Sequence, residues 1–318
     1  MSRLLAGLLI SAGAVAALVY AAFKHDLSKA RAALDGRSEV IETAAGAIEY
    51  AKTGKGYPVL VVHGAGGGFD QALEMAGGLA GRGYELIAPS RFGYLRSAAA
   101  TGLTVPAQAD AYAALLDRLG IGKVAAVAIS AGAWSALEFA VRHPDRCQAL
   151  VLLVPAKQLP PGTSNYGGAI AKAMLGSDFI TWALLKLRPI LPGTLDRIML
   201  GTQPDVVQAV PPGEKARMRR ILDGLLPISA RFGGIEFDLK TAASPHPTPL
   251  DQIKCPLLAV SAEDDVFGTA SRAREIAAAV PQGRAVVFPE GGHALAGRYD
   301  DALTEAVSFL LLAGATPE

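Results

Sequence analysis

Two hydrophobic rhythms alternate along this chain. Short uninterrupted apolar runs, Tyr57–Val62, Val124–Ile129, Ala149–Val154 and Pro256–Val260, are bounded by glycine, proline or charge. Runs this short, with no polar alternation, read as strands buried on both faces. Glu85–Ala88, ending at Pro89, and Arg284–Phe288 read as two more. Val40–Glu42 and Ala47–Ala51 read as short antiparallel strands joined through Ala45-Gly46. Between the runs the period changes. In Val105–Leu119 the apolar residues Ala109, Tyr112, Leu115, Leu116 and Leu119 recur near helical spacing, and Gln71–Gly81, Ala133–Arg142, Ser271–Val280 and Asp300–Leu312 also read as helices. Buried strands alternating with helices predict an α/β fold, a parallel sheet covered on both faces.

Two segments depart from this rhythm. From Ala156 to about Pro249 the chain is rich in glycine and proline and shows no strand pattern, while Phe179–Leu187 and Lys215–Leu226 look helical. A helical insertion inside a parallel sheet reads as a lid over the sheet's carboxyl edge, where such folds bind ligands. The predicted organisation is therefore a core of residues 39–155 and 250–315 with a cap of residues 156–249. The other departure is Leu4–Phe23, apolar without a charge between Arg3 and Lys24. Its length matches the ~20 residues that cross a bilayer core. Residues 1–24 are therefore expected to form an uncleaved transmembrane anchor, with a cleaved signal peptide the alternative, and residues 25–38 a juxtamembrane stalk. Lys24, Lys29, Arg31 and Arg37 follow the run against Arg3 before it, which favours a cytoplasmic catalytic domain. Secretion after cleavage is the competing location.

Composition narrows the function classes. The 318 residues carry 30 Lys and Arg against 29 Asp and Glu, a formal net charge of +1. Without a basic stripe, no nucleic-acid partner is expected. The two cysteines, Cys147 and Cys255, each lie just before a predicted strand. They have neither C-x-x-C nor Cys/His ligand spacing, so no disulfide framework and no zinc site is predicted.

The candidate chemistry starts at Ser130. It lies where the buried run Val124–Ile129 meets the helix Ala133–Arg142, within Ala128-Ile-Ser-Ala-Gly132. Small residues are needed there because helix and strand backbones approach closely while the serine is held in a strained conformation above the sheet. Ala128 stands where the usual pattern has glycine. A serine hydroxyl needs a base, and a histidine base needs an acid to fix its tautomer. Of the five histidines, His25 follows the apolar run, His246 lies in a proline-rich loop, and His143 sits at a helix end where it can satisfy terminal carbonyls. His293, in "PEGGHAL" just beyond the last strand, is the expected base. Glu263, Asp264 and Asp265 follow the strand Pro256–Val260; Asp264 is the expected acid from its distance past the strand end, with Asp265 the alternative. Finally, Tyr57–Val62 runs into His63-Gly-Ala-Gly-Gly-Gly68. Glycines let backbone amides approach a ligand, so Ala65 and Ala131 N–H are the candidate oxyanion donors and His63 a loop organiser. The loop lacks the Lys-Ser/Thr of a P-loop and the dinucleotide-binding spacing.

Taken in order, "VVHGAGGG", "PSRFGYLRS", "AISAGAW", "SAEDD" and "PEGGHAL" resemble the α/β-hydrolase superfamily over about residues 40 to 313. The resemblance implies a mostly parallel eight-stranded sheet with a helical cap inserted between strands six and seven. It carries the nucleophile to Ser130, the acid to Asp264, the base to His293 and the oxyanion hole to Ala65 and Ala131. A serine at the elbow disfavours the epoxide- and haloalkane-opening branches, which place aspartate there. The expected activity is hydrolysis of small-molecule carboxylic esters through an acyl-enzyme. The alternatives are a carbon–carbon bond hydrolase, a lactonase or a perhydrolase using the same triad, or a ligand-binding protein without turnover. Tyr166, Met174, Phe179, Ile180, Trp182, Leu184 and Leu185 in the cap suggest an apolar substrate group or the cap's own core. No metal or organic cofactor is implied, and the sequence leaves the oligomeric state open.

Overall fold

The computed structural model describes residues 3–158, 175–244 and 246–317, the side chains of residues 3–10 and 192 excepted. Eight strands form one sheet in the order β1-β2-β4-β3-β5-β6-β7-β8: β1 Glu39–Thr43, β2 Gly46–Thr53, β3 Tyr57–Val62, β4 Tyr84–Pro89, β5 Val124–Ile129, β6 Cys147–Leu153, β7 Leu257–Ala262 and β8 Gly283–Phe288. β2 runs antiparallel to both its neighbours, and β4-β3-β5-β6-β7-β8 are mutually parallel. This is the expected mostly parallel sheet. In β5 every residue is buried, which is why it reads as a continuous apolar run rather than an alternating one.

Two apolar layers flank the sheet. Leu60, Val62, Ala126 and Ala128 face one cluster with Tyr112 and Phe139, while Val59, Val61, Ala125 and Val127 face another with Phe69 and Leu310. The covering helices are α2 Phe69–Ala76, α3 Val105–Arg118 and α4 Gly132–Arg142, with two more described below. The predicted helix Gln71–Gly81 divides, because Gly77-Gly78 ends the α-helix and a 3₁₀ turn, Gly77–Arg82, continues to β4.

The cap lies between β6 and β7, as expected. Its described helices are α5 Asp178–Leu187, α6 Pro192–Leu200, α7 Pro204–Ala209, α8 Pro212–Asp223 and α9 Phe232–Ala243. The core then closes with α10 Thr269–Ala279 and α11 Tyr299–Leu312.

The N-terminal expectation needs correction. Among the described residues no helix is long and apolar enough to cross a membrane. Helix α1, Arg3–Ala32, continues well past the apolar run. The C-terminal turns of α1 dock on the cap instead of forming a free stalk. Phe23 and Leu27, four residues apart on one face, are buried with Trp182 and Leu226. Asp26 accepts from Trp182 Nε1 at 2.9 Å and pairs with Lys186 at 2.8 Å.

The same contacts reassign part of the cap. Phe179 and Trp182 pack edge-on against Phe23, with ring centroids 5.2 and 5.7 Å away, so this face of α5 is committed to α1. Tyr166 and Met174 lie outside the described residues. Cys147 opens β6 and Cys255 precedes the adjacent β7; both are buried free thiols with Sγ atoms 3.7 Å apart.

Candidate active site

Ser130 follows β5 directly and has φ +50, a left-handed conformation that a non-glycine residue keeps only when its surroundings enforce it. Its N–H donates to Leu153 O at 3.0 Å, and its carbonyl accepts from Ala133 N at 3.0 Å and Ala156 N at 3.1 Å. Strand β6 and the first turn of α4 thus clamp the residue from both sides. Gly132 is required here, since a Cβ would meet the carbonyl oxygens of His63 and Val62 at 2.6 and 2.7 Å. The departure at Ala128 is harmless: its methyl is fully buried in the apolar layer.

His293 reaches the same rim from the loop after β8. Its Nε2 lies 3.0 Å from Ser130 Oγ and its Nδ1 lies 2.8 Å from Asp265 Oδ2. A carboxylate can only accept, so Nδ1 carries the proton and Nε2 is left to accept from the serine hydroxyl. The imidazole is mostly buried and packs edge-on against Phe267, centroids 4.8 Å apart.

The acid differs from the expectation. Asp265, not Asp264, lies against the imidazole. Asp265 is buried; its Oδ1 accepts from Phe267 N at 2.8 Å, and its Oδ2 also accepts from the Thr269 hydroxyl. Asp264 instead accepts from Gly292 N through Oδ1 at 2.8 Å, which ties the two loops together one residue before the histidine. The reason is the strand end. β7 continues to Ala262, two residues beyond the predicted Val260, so a distance counted from the predicted strand end does not decide between the adjacent Asp264 and Asp265. Glu263 is exposed and pairs with Arg274.

Of the predicted oxyanion donors, Ala131 opens α4 beside the serine and Ala65 lies in the loop after β3. Neither amide donates to an acceptor among the described residues. The two loops meet closely, since a Cβ on Gly64 would lie 3.1 Å from Ser130 Cβ. His63 is a loop organiser in this geometry. Its Nε2 accepts from Arg91 N at 2.9 Å, so Nδ1 is the protonated nitrogen and donates to Gly64 O at 2.7 Å. Burial, followed by the nearby Arg91 charge, holds its pKa well below the usual imidazole value. The ring is neutral.

The remaining histidines are elsewhere. His143 ends α4 and its Nε2 lies 2.8 Å from Asp110, while His246 contacts Glu138 at 3.1 Å. Sequence reasoning missed the cap residues that hold the rim. Gly201 O accepts from both His293 N at 3.2 Å and Val266 N at 3.1 Å, and Arg217 Nη2 donates to Ala294 O at 2.7 Å. No local motif marks them, because their function depends on how the cap folds back. Among the described residues no cluster of His, Cys, Asp and Glu is arranged to hold a metal.

Residues 57–296 match the family model described as alpha/beta hydrolase fold. An uncharacterised hydrolase of Bacillus subtilis, YcgS, is 39% identical over 134 residues, 41% of this chain and 46% of that protein. A 2-hydroxy-6-oxo-6-phenylhexa-2,4-dienoate hydrolase of Burkholderia cepacia is 33% identical over 110 residues, 32% of this chain and 37% of that one. In both cases the chain spans less than half the relative's length. Among solved structures, an alpha/beta hydrolase fold protein from Nakamurella multipartita superposes with TM-score 0.71 at 27% identity, covering 87% of this chain and 99% of that one.

Proposed function

Since the chain belongs to the α/β-hydrolase family, a hydrolase fold acting on small molecules, we propose that it is a serine hydrolase that cleaves carboxylic esters through an acyl-enzyme. One observation carries this reading: the continuous hydrogen-bonded line from Ser130 Oγ to His293 Nε2 and from Nδ1 to Asp265, at 3.0 and 2.8 Å. The positions support the following chemistry. Ser130 Oγ attacks the ester carbonyl while His293 Nε2 takes its proton, and Asp265 stabilises the resulting imidazolium. The carbonyl oxygen becomes an oxyanion between the Ala65 and Ala131 amides, each worth about 2.7–4 kcal/mol of barrier where such donors have been removed. Collapse expels the alcohol, which receives the proton from His293. Water then attacks the acyl-enzyme, His293 acting as base again, and the carboxylic acid leaves.

An apolar substrate group is favoured by the side chains nearest the rim. Phe267 packs on His293, and the Leu225 side chain lies beside Gly66 of the oxyanion loop. The partial match to a dienoate hydrolase favours one second reading, cleavage of a carbon–carbon bond next to a carbonyl by the same three residues.

A fluorophosphonate probe tests the first reading. Covalent labelling of the wild type and none of Ser130→Ala is expected, together with turnover on p-nitrophenyl esters of graded acyl length. A folded wild type that is not labelled would contradict a competent serine nucleophile. Labelling without ester turnover, but with turnover of a vinylogous diketone, would move the assignment to carbon–carbon cleavage.

A further inference from the structure

The loop that carries the Ala65 amide is held largely by side chains that answer to the cap. Gly64 O accepts from Arg91 Nη2 at 3.1 Å, Gly66 N donates to Tyr94 OH at 3.2 Å, and Gly67 O accepts from Arg231 Nη1 at 2.7 Å. Gly64 and Gly66 flank Ala65 directly. Arg91 and Tyr94 belong to the core loop after β4, but both end on Asp238 of cap helix α9. Arg91 forms a two-pronged pair with that carboxylate at 2.7 and 2.6 Å, and the Tyr94 hydroxyl donates to its Oδ2 at 2.5 Å. Arg231, at the start of α9, makes the reverse connection, pairing with Asp70 of core helix α2 at 3.1 and 2.8 Å. Two buried ion pairs thus cross between cap and core in opposite senses, and both converge on one short loop.

Their burial makes the connection directional. Arg91 is 1% exposed, Arg231 0%, Tyr94 0% and Asp238 4%. Planar guanidinium–carboxylate pairs fix angles as well as distances, which an apolar contact does not. Glycines permit the approach. Gly234 N donates to Gly93 O at 2.8 Å, and a Cβ on Gly234 would strike the Tyr94 ring. The cap helix is therefore pressed against the turn that presents Arg91 and Tyr94.

We propose that Asp238, Tyr94 and Arg231 are positioning residues through which the cap sets the oxyanion loop, so that the cap determines the geometry of the Ala65 donor. The proposal rests on the serine-hydrolase reading. It predicts a specific kinetic signature. Misplacing the donor weakens the tetrahedral intermediate and leaves ground-state binding of the ester nearly unchanged, so kcat falls and KM does not.

The test compares wild type, Tyr94→Phe, Asp238→Asn and Asp196→Asn with one ester substrate and one trifluoromethyl ketone, whose hemiketal places an oxyanion in the same hole. Asp196 pairs with Arg188 inside the cap, its one ion pair among the described residues, so it controls for general loosening of the cap. Tyr94→Phe is expected to lower kcat about tenfold, short of the ~100-fold or more that follows outright loss of a donor. Ketone affinity should fall by a similar factor, with KM within about twofold of wild type. Asp238→Asn should show the larger effect, and Asp196→Asn a lower Tm with kcat unchanged. Tyr94→Phe removes only one oxygen, so it remains informative if Asp238→Asn does not fold. Wild-type kcat and ketone affinity in Tyr94→Phe would overturn the proposal, as would an equal loss in Asp196→Asn. A wild type inert to both esters and fluorophosphonate would instead overturn the hydrolase reading on which it rests.

Discussion

The sheet and the cap are held by different forces. Val59–Val62 of β3 and all of β5 are apolar and buried, and the layers on either face are continuous hydrophobic clusters. The cap has smaller apolar clusters, and buried charge fastens it to the core: Arg91 to Asp238, Arg231 to Asp70, and Arg217 to a carbonyl in the histidine loop. Apolar contact is non-directional and tolerates small displacements. A buried ion pair adds little net stability against its desolvation, but it fixes orientation and is costly to break on one side. The sheet therefore decides where the reacting groups converge, and the cap decides how the neighbouring loops are aimed.

Separating these two contributions is a matter of cutting each in turn. The largest effect is expected on the sheet side, where the chemistry itself resides. Ser130→Ala and His293→Ala should each lower kcat by about a million-fold, and the double variant should be no slower than either alone, because the two act as one unit. Single-turnover and steady-state assays on an ester check this. On the cap side, Asp238→Asn leaves the Arg91 guanidinium buried without its carboxylate and should cost about 3–5 kcal/mol in urea unfolding. Glu305→Gln, which cuts the exposed pair with Arg284, should cost under about 1 kcal/mol. Equal costs would erase the distinction between the buried and the exposed pair.

The remaining effect concerns pH. Burial and then the Arg91 charge depress the His63 pKa in the folded state below its ordinary 6.5. The unfolded chain thus binds a proton more readily than the folded one. His63 favours the fold fully above pH 6.5, and this contribution is lost as pH falls below that value toward the depressed folded pKa. The slope from this one residue is at most ~1.4 kcal/mol per pH unit. Urea melts of His63→Asn between pH 5 and 8 should show a correspondingly shallower acid dependence than the wild type.

The same contrast governs what the sequence reveals. Tyr57–Val62 and Val124–Ile129 are strands to the residue, because burial of Val59–Val62 and of all of Val124–Ile129 leaves an unbroken apolar signature. Ser130 is legible because it stands directly after such a strand, and His293 because it lies on a glycine-rich loop beyond the last strand. Asp265 is not, since the two-residue extension of β7 and the turn after it decide which carboxylate faces the ring. The cap helices Pro192–Leu200, Pro204–Ala209 and Phe232–Ala243 left little trace. They are short, begin at proline or beside glycine, and draw much of their support from tertiary contact rather than local propensity. The roles of Arg91, Tyr94, Arg231 and Asp238 depend on pairs separated by up to 164 residues. No local pattern encodes such pairs. Hydropathy along the N-terminal run also does not show that Phe23, at its end, and Leu27, beyond it, pack on the cap.

The central claim is that Ser130, His293 and Asp265 form one proton-transfer line. The most direct measurement is kcat for the paired variants Asp265→Asn and Asp264→Asn on the same ester. An asparagine at 265 can no longer hold the productive tautomer, so a loss of about 10⁴ is expected there, and a loss of less than about tenfold at 264, whose carboxylate only ties Gly292. Near-normal turnover in Asp265→Asn, with the large loss at 264 instead, would contradict the account.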